Sequence, residues 1–122
     1  MNNKDIAVSF LKMASSGKVN EAYSKFIGTG FRHHNPFFAG TAAALQAAME
    51  ENARKNPNKV FEVKRVISEG DHVVTHSHVK QKPDDLGIAV VHIFRFEMGK
   101  IMEIWDLGQP IPSETQNQYG MF

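Results

Sequence analysis

The side chains best able to do chemistry in this chain are its histidines and one aspartate. Six histidines occur in 122 residues, and they are unevenly spread. His33 and His34 precede Asn35-Pro36, and His76 and His78 stand two apart. His92 sits in the most apolar stretch, among Ile88, Val90, Phe94 and Phe96. Asp106 follows Trp105 in a second apolar stretch with Ile101, Met102, Ile104 and Leu107. An ionised aspartate among such neighbours is costly unless it is hydrogen-bonded or paired. Paired with His92 in an apolar pocket, it would form an acid–base couple. Desolvation raises a carboxyl pKa, a charged imidazole lowers it, and catalysis needs a value near working pH. The same two residues could equally make a structural hydrogen bond within a sheet.

Whether they meet depends on the hairpin between their strands. A three-residue loop, Glu97-Met98-Gly99 with Gly99 in the left-handed bulge position, pairs Phe96 with Lys100. Asp106 then lies opposite Val90 and diagonal to His92, on the same face. A two-residue loop would put the pair on opposite faces. Gly99 suits the odd loop, which is the expectation adopted.

The remaining candidates are less specific. His76 and His78, at strand spacing, point to one face and could line a pocket or, with His33, His34 or a carboxylate, ligate a metal. They could equally be solvated residues on an outer sheet face. No ligand set of recognised spacing is present, so the expectation is no metal and no cofactor. Trp105, Tyr23 and Phe94 are candidates for an apolar pocket wall. Buried Trp and Tyr serve as core just as readily. Gly28-Thr29-Gly30 and Gly40 read as turn residues. No phosphate-binding glycine loop and no serine elbow occurs.

These residues need elements to position them. Ile6, Phe10, Met13 and Ala14 follow helical spacing up to Ser16-Gly17. A second helix spans about 19–27 on Val19, Ala22, Tyr23, Phe26 and Ile27, and Gly28-Thr29-Gly30 ends it. A third opens on Thr41 as N-cap, carries Leu45, Ala48, Met49 and Asn52 on one face, and stops before Pro57. The period then changes to that of strands. They are expected over 60–68, 72–80, 88–96 and 101–107, with a shorter one near 31–34. Residues 109–122 read as a polar tail running over the surface. Helices first and a strand meander afterwards imply one α+β domain over 1–122: a curved antiparallel sheet, with helices on its concave side enclosing a pocket.

Composition narrows the function. Fourteen basic and 13 acidic residues give a net charge of +1, without a basic stripe. That balance argues against nucleic acid and against an anionic membrane surface. The absence of cysteine removes disulfides, thiol nucleophiles and Cys-based zinc sites. No apolar run approaches bilayer-spanning length, and the polar start, Met1-Asn2-Asn3-Lys4-Asp5, lacks a signal-peptide core. A soluble cytoplasmic protein with a small-molecule ligand is the expectation.

The order of these motifs resembles a known family. Two helices, His34-Asn35-Pro36, a helix, a strand bearing His-x-His and a closing hairpin are similar to the SnoaL-like polyketide cyclases of the nuclear transport factor 2-like superfamily. The most specific stretch runs from Val91-His92 through Phe94-Arg95 and Gly99-Lys100-Ile101 to Trp105-Asp106. The ending, Gln109-Pro110-Ile111-Pro112 and Gly120-Met121-Phe122, resembles a bacterial subgroup described as predicted aldol-condensation-type proteins. The resemblance implies a cone-shaped, cystatin-like α+β fold, a homodimer packed through its sheets, and no metal or cofactor. It also implies a lyase- or isomerase-type reaction on a carbonyl compound, with Asp106 as acid–base, His92 beside it, and a ligand-contacting pocket segment that maps onto His33, His34 and Asn35. Asn35 stands where the cyclase carries an acidic residue; an amide donates and accepts hydrogen bonds but takes no proton. The superfamily also contains non-catalytic small-molecule binders, the alternative function for this chain.

Overall fold

The structure, a computed structural model, describes residues 1–122. Helix α1 (Asn3–Ser15) starts in a capping box: Asn2 Oδ1 accepts from the Asp5 amide at 2.9 Å, and Asp5 Oδ2 accepts from the Asn2 amide at 3.1 Å. Gly17, at φ +91°, takes the left-handed turn that follows. Helix α2 (Val19–Phe26) buries Val19, Ala22, Tyr23 and Phe26 on one face. Strand β1 (Ile27–His33) follows at once, so the helix stops one residue short of expectation and Gly28-Thr29-Gly30 lies inside a strand rather than forming the helix-ending turn. Gly28 lets β1 run close to the last strand: a Cβ on it would collide with Sδ of Met102, which would have to shift.

Helix α3 (Ala42–Lys55) is capped by Thr41, whose Oγ1 accepts from the Ala44 amide at 3.2 Å. Strands β2 (Val60–Glu69), β3 (His72–Lys80), β4 (Ile88–Glu97) and β5 (Lys100–Pro110) form the expected meander. The last strand runs three residues beyond the expected Leu107.

The sheet order is β1-β5-β4-β3-β2, and β1 pairs with β5 in parallel. The curved sheet is therefore mixed, not antiparallel throughout. The reason is connectivity: β1 comes from a helix rather than from a hairpin. Because β1 and β2 are opposite edges, α3 must carry the chain from one to the other across the concave face. The core lies between that face and the helices, where Phe10 meets Tyr23 at 5.5 Å and Phe94 at 6.4 Å between ring centroids.

The decisive local feature is the β4–β5 hairpin. Glu97 pairs with Lys100, so the loop has two residues, Met98 and Gly99, at φ +50° and +78°. Both positive angles belong to a type I′ turn, the geometry that matches strand twist. Simple alternation would then separate His92 from Asp106. It does not, because Phe96 pairs with Ile101 while Arg95 pairs with Glu103, leaving Met102 as an extra residue. This β-bulge restores the parity. His92 consequently lies directly opposite Asp106, and Val90 opposite Gly108. The expected three-residue loop and diagonal pairing are both replaced; the shared face is retained.

Beyond Pro110 the chain folds back on the outer sheet face. The Phe122 ring packs 5.2 Å from His76 and 4.6 Å from His78.

Candidate active site

A cavity of about 250 Å³ lies between α1, α3, the segment after β1 and the concave face of the sheet. Leu11, Phe38, Leu45, Met49, Phe61, Val79, Ile88 and Val90 make its wall apolar; Asn35, Asn52, Lys59, His92 and Asp106 supply most of its polar groups. A wider hollow of about 440 Å³ opens on the outer face beside His76, Leu107 and Met121. Its only titratable side chain is His76. Of these two, the concave cavity is the chemically equipped one.

His92 forms part of the floor. It is 8% exposed, and its Nδ1 is buried without a hydrogen-bond partner, as are the hydroxyls of Thr75 and Ser77 on the adjacent strand. Burial pushes the imidazole pKa down to about 4; the Asp106 charge opposes this and the Lys59 charge adds to it. At neutral pH the ring is uncharged, with one N–H to donate and one nitrogen to accept.

Asp106 faces His92 across the ladder, yet its carboxylate is bonded elsewhere, accepting from Asn35 Nδ2 at 3.0 Å. A chain of contacts sets the Asn35 amide. Its Oδ1 accepts from the Phe37 amide at 2.9 Å, which turns Nδ2 towards Asp106. Its own backbone N–H donates to His33 Nδ1 at 3.1 Å, while His33 Nε2 lies 2.6 Å from the Ala39 carbonyl. Those partners assign the His33 proton to Nε2. His33 thus holds the segment that aims Asn35 and does not line the cavity.

Besides His33, six further expected ligand contacts lie outside the cavity. Trp105 neighbours Asp106 in sequence, so alternation turns it to the outer face. His34 stacks on it at 4.9 Å, with its Nε2 2.6 Å from Glu103. His76 and His78 alternate with the inward Thr75, Ser77 and Val79 and therefore face outward; His78 Nε2 meets the Leu86 carbonyl at 2.8 Å. Tyr23 belongs to the core, its hydroxyl 3.4 Å from Met49 Sδ, and burial pushes its phenol above the usual range. The sixth, Phe94, is fully buried beneath the cavity floor, its ring centroid 5.9 Å from that of His92.

Two cavity residues escaped the sequence reading. Lys59 donates to Asn52 Oδ1 at 2.7 Å, and both line the cavity. Asn52, a polar residue on an otherwise apolar helix face, was the available signal; nothing in the spacing marked Lys59.

The outer face carries a second polar group. Glu103 is 4% exposed and accepts from Arg32 Nε at 2.9 Å, Arg32 Nη2 at 3.3 Å and Arg95 Nε at 3.0 Å, with His34 also in contact. These partners hold its pKa down to about 2. No three His, Asp or Glu side chains converge as a metal-ligand set. No helix is long and apolar enough to cross a membrane.

The family description "SnoaL-like polyketide cyclase" matches residues 5–117. The chain belongs to the SnoaL-like family. Solved structures resemble it at low identity. An NTF2-like protein of unknown function from Cytophaga hutchinsonii is 18% identical, with 90% of this chain and 92% of that one covered and a TM-score of 0.71. An Agrobacterium tumefaciens protein of the SnoaL-like family, whose name proposes an isomerase, is 13% identical over 86% and 95%, with a TM-score of 0.70. A Sinorhizobium meliloti protein whose name proposes a polyketide cyclase is 15% identical over 84% and 94%, with a TM-score of 0.68. No curated protein matches the sequence. At these identities the likeness shows the SnoaL-like, NTF2-like fold and leaves the chemistry to the site.

Proposed function

We propose that the cavity binds a small carbonyl compound and acts on it as a cofactor-independent lyase or isomerase, of the aldol-condensation or cyclase type. The observation that carries this reading is the His92–Asp106 arrangement. A neutral imidazole and a carboxylate whose only protein donor is Asn35 line the same cavity and face each other across the ladder. Leaving such polarity unused in a core is costly, and a ligand would complete it.

The chemistry is a proton transfer from carbon. The Asp106 carboxylate takes the proton α to the ligand's carbonyl, becoming a carboxylic acid, and the C–H electron pair moves into the enolate. The uncharged His92 donates its N–H to the developing oxyanion, a role suited to a ring that does not carry its own charge. The enolate carbon then adds to a second carbonyl, whose alkoxide takes the proton back from Asp106. Where the enolate is conjugated with a double bond, the dienolate is instead protonated by Asp106 at its γ carbon. Either branch restores the carboxylate. Asn35 steers the carboxylate and takes no proton.

The test is hydrogen–deuterium exchange α to the carbonyl, followed by NMR in D2O over small ketones, β-diketones and keto acids. Wild type should accelerate exchange in one class, and Asp106→Asn should lower the rate by roughly 10²–10⁴-fold while ligands still bind. Binding without exchange in wild type would overturn the enzymatic reading in favour of a non-catalytic binding protein.

We also propose that two copies pair through the outer sheet face, as the family resemblance implies. Ile67 and Leu107 stand 60% and 59% exposed on that face, which also carries Trp105. Sedimentation velocity should give a dimer that Leu107→Glu dissociates; a monomeric wild type would refute it.

A further inference from the structure

The cavity contains one cation that the mechanism does not use. Lys59 is half-buried immediately before β2 and lines the same cavity as His92 and Asp106. Its only protein partner is a neutral oxygen, Asn52 Oδ1 at 2.7 Å, and it forms no ion pair. Two of its three N–H donors are therefore uncommitted. Burial pushes its ammonium pKa below the ordinary value, a cost that no internal carboxylate offsets.

Asp106, the cavity's one carboxylate, is not its partner: the two lie beyond ion-pair reach of each other, and Asp106 is bonded to Asn35. His92 feels both, the aspartate favouring its charged form and the lysine opposing it. The cavity thus holds one cation, one anion and a neutral imidazole that feels both. A plain apolar pocket would need neither charge. A volume of about 250 Å³ sits just below the roughly 300–1,000 Å³ of drug-sized sites, which favours a small ligand.

Resting on the carbonyl-acid function above, we propose that Lys59 is the specificity determinant, holding a carboxylate of the ligand, so that the substrate class is small keto acids. The carboxylate takes the two free ammonium donors. The ketone oxygen takes His92, and the acidic C–H faces Asp106. An anion at Lys59 supplies the countercharge that the protein withholds, and it keeps the ligand from binding reversed, because Asp106 would repel it.

The experiment compares matched probes by isothermal titration: 4-oxopentanoate and 4-oxo-4-phenylbutanoate, each beside its primary amide. Wild type should bind an acid at least tenfold more tightly than its amide. Lys59→Met should remove that preference while leaving amide affinity within about twofold, and Lys59→Arg should retain it. Equal affinities in wild type, or a preference that survives Lys59→Met, would overturn the assignment. The wild-type comparison alone can do so, even if the methionine variant folds poorly. In that failure, amide binding that persists and still competes with β-diketones leaves the carbonyl site standing. Absence of binding by every probe overturns both readings.

Discussion

The two faces of strand β5 carry the same kind of residue in opposite circumstances. Outward, Glu103 is enclosed by Arg32, Arg95 and His34, and its charge is more than satisfied. Inward, Asp106 has one neutral donor, and the histidine opposite it has an orphan nitrogen. Only two residues, Ile104 and Trp105, separate these carboxylates. The difference teaches where function resides: a buried polar group with every partner supplied stabilises one conformation, whereas one left short retains capacity for a ligand. The lower cavity charge count also explains why burial, not pairing, dominates the pKa of His92.

The sharpest way to break this contrast is to make one chemical change on each face. Asp106→Asn should lower turnover by about 10²–10⁴-fold. Its melting temperature should move by no more than a few degrees. Glu103→Gln should do the reverse, costing about 2 kcal/mol in urea unfolding, because three cationic or hydrogen-bonding partners lose their anion, with activity kept below the melting range. If both variants lose activity equally, the division between the faces fails.

Acid titration of stability offers a second separation. His92 resists protonation when folded, so its contribution is full above its ordinary 6.5 and falls as the pH drops towards about 4. Glu103 is held ionised when folded, so its contribution is full above its ordinary 4.5 and falls as the pH drops towards about 2. Wild type should therefore lose stability in two overlapping steps. His92→Phe should flatten the upper one, a step of roughly 3 kcal/mol, and Glu103→Gln the lower. A single step that neither variant alters would sink the attribution.

The smallest effect concerns the hairpin joining the two faces. Met98 is fully exposed at φ +50°, where asparagine is better tolerated. Met98→Asn should raise stability by about 0.5 kcal/mol and leave cavity binding unchanged. A loss of binding would mean that the register is set by the turn rather than by the bulge.

Much of the framework was legible because local signals agreed. Ser16-Gly17, Thr41 and Pro57 marked helix ends through turn formation, capping and backbone restriction, and alternating apolar residues marked β3 and β4. Asn35, His92 and Asp106 stood out as polar residues in places that needed a reason. The fates of His34 and Trp105 were not legible, since aromatic residues near an aspartate suit a pocket and an outer stack equally well. The glycines at 28 and 30 suggested a helix break because their strand role depends on Met102, distant in sequence.

By itself, then, the sequence determined the element types, the family, and the facing strands that hold His92 and Asp106. Only the tertiary structure decided which face they share and what joins them there. A two-residue turn and the Met102 bulge are opposite changes of parity that cancel, and no local propensity reports such a cancellation. Lys59 and Asn52 reach the same cavity because α3 must span the sheet from edge to edge. That is a consequence of strand order, which side-chain spacing along one chain does not encode.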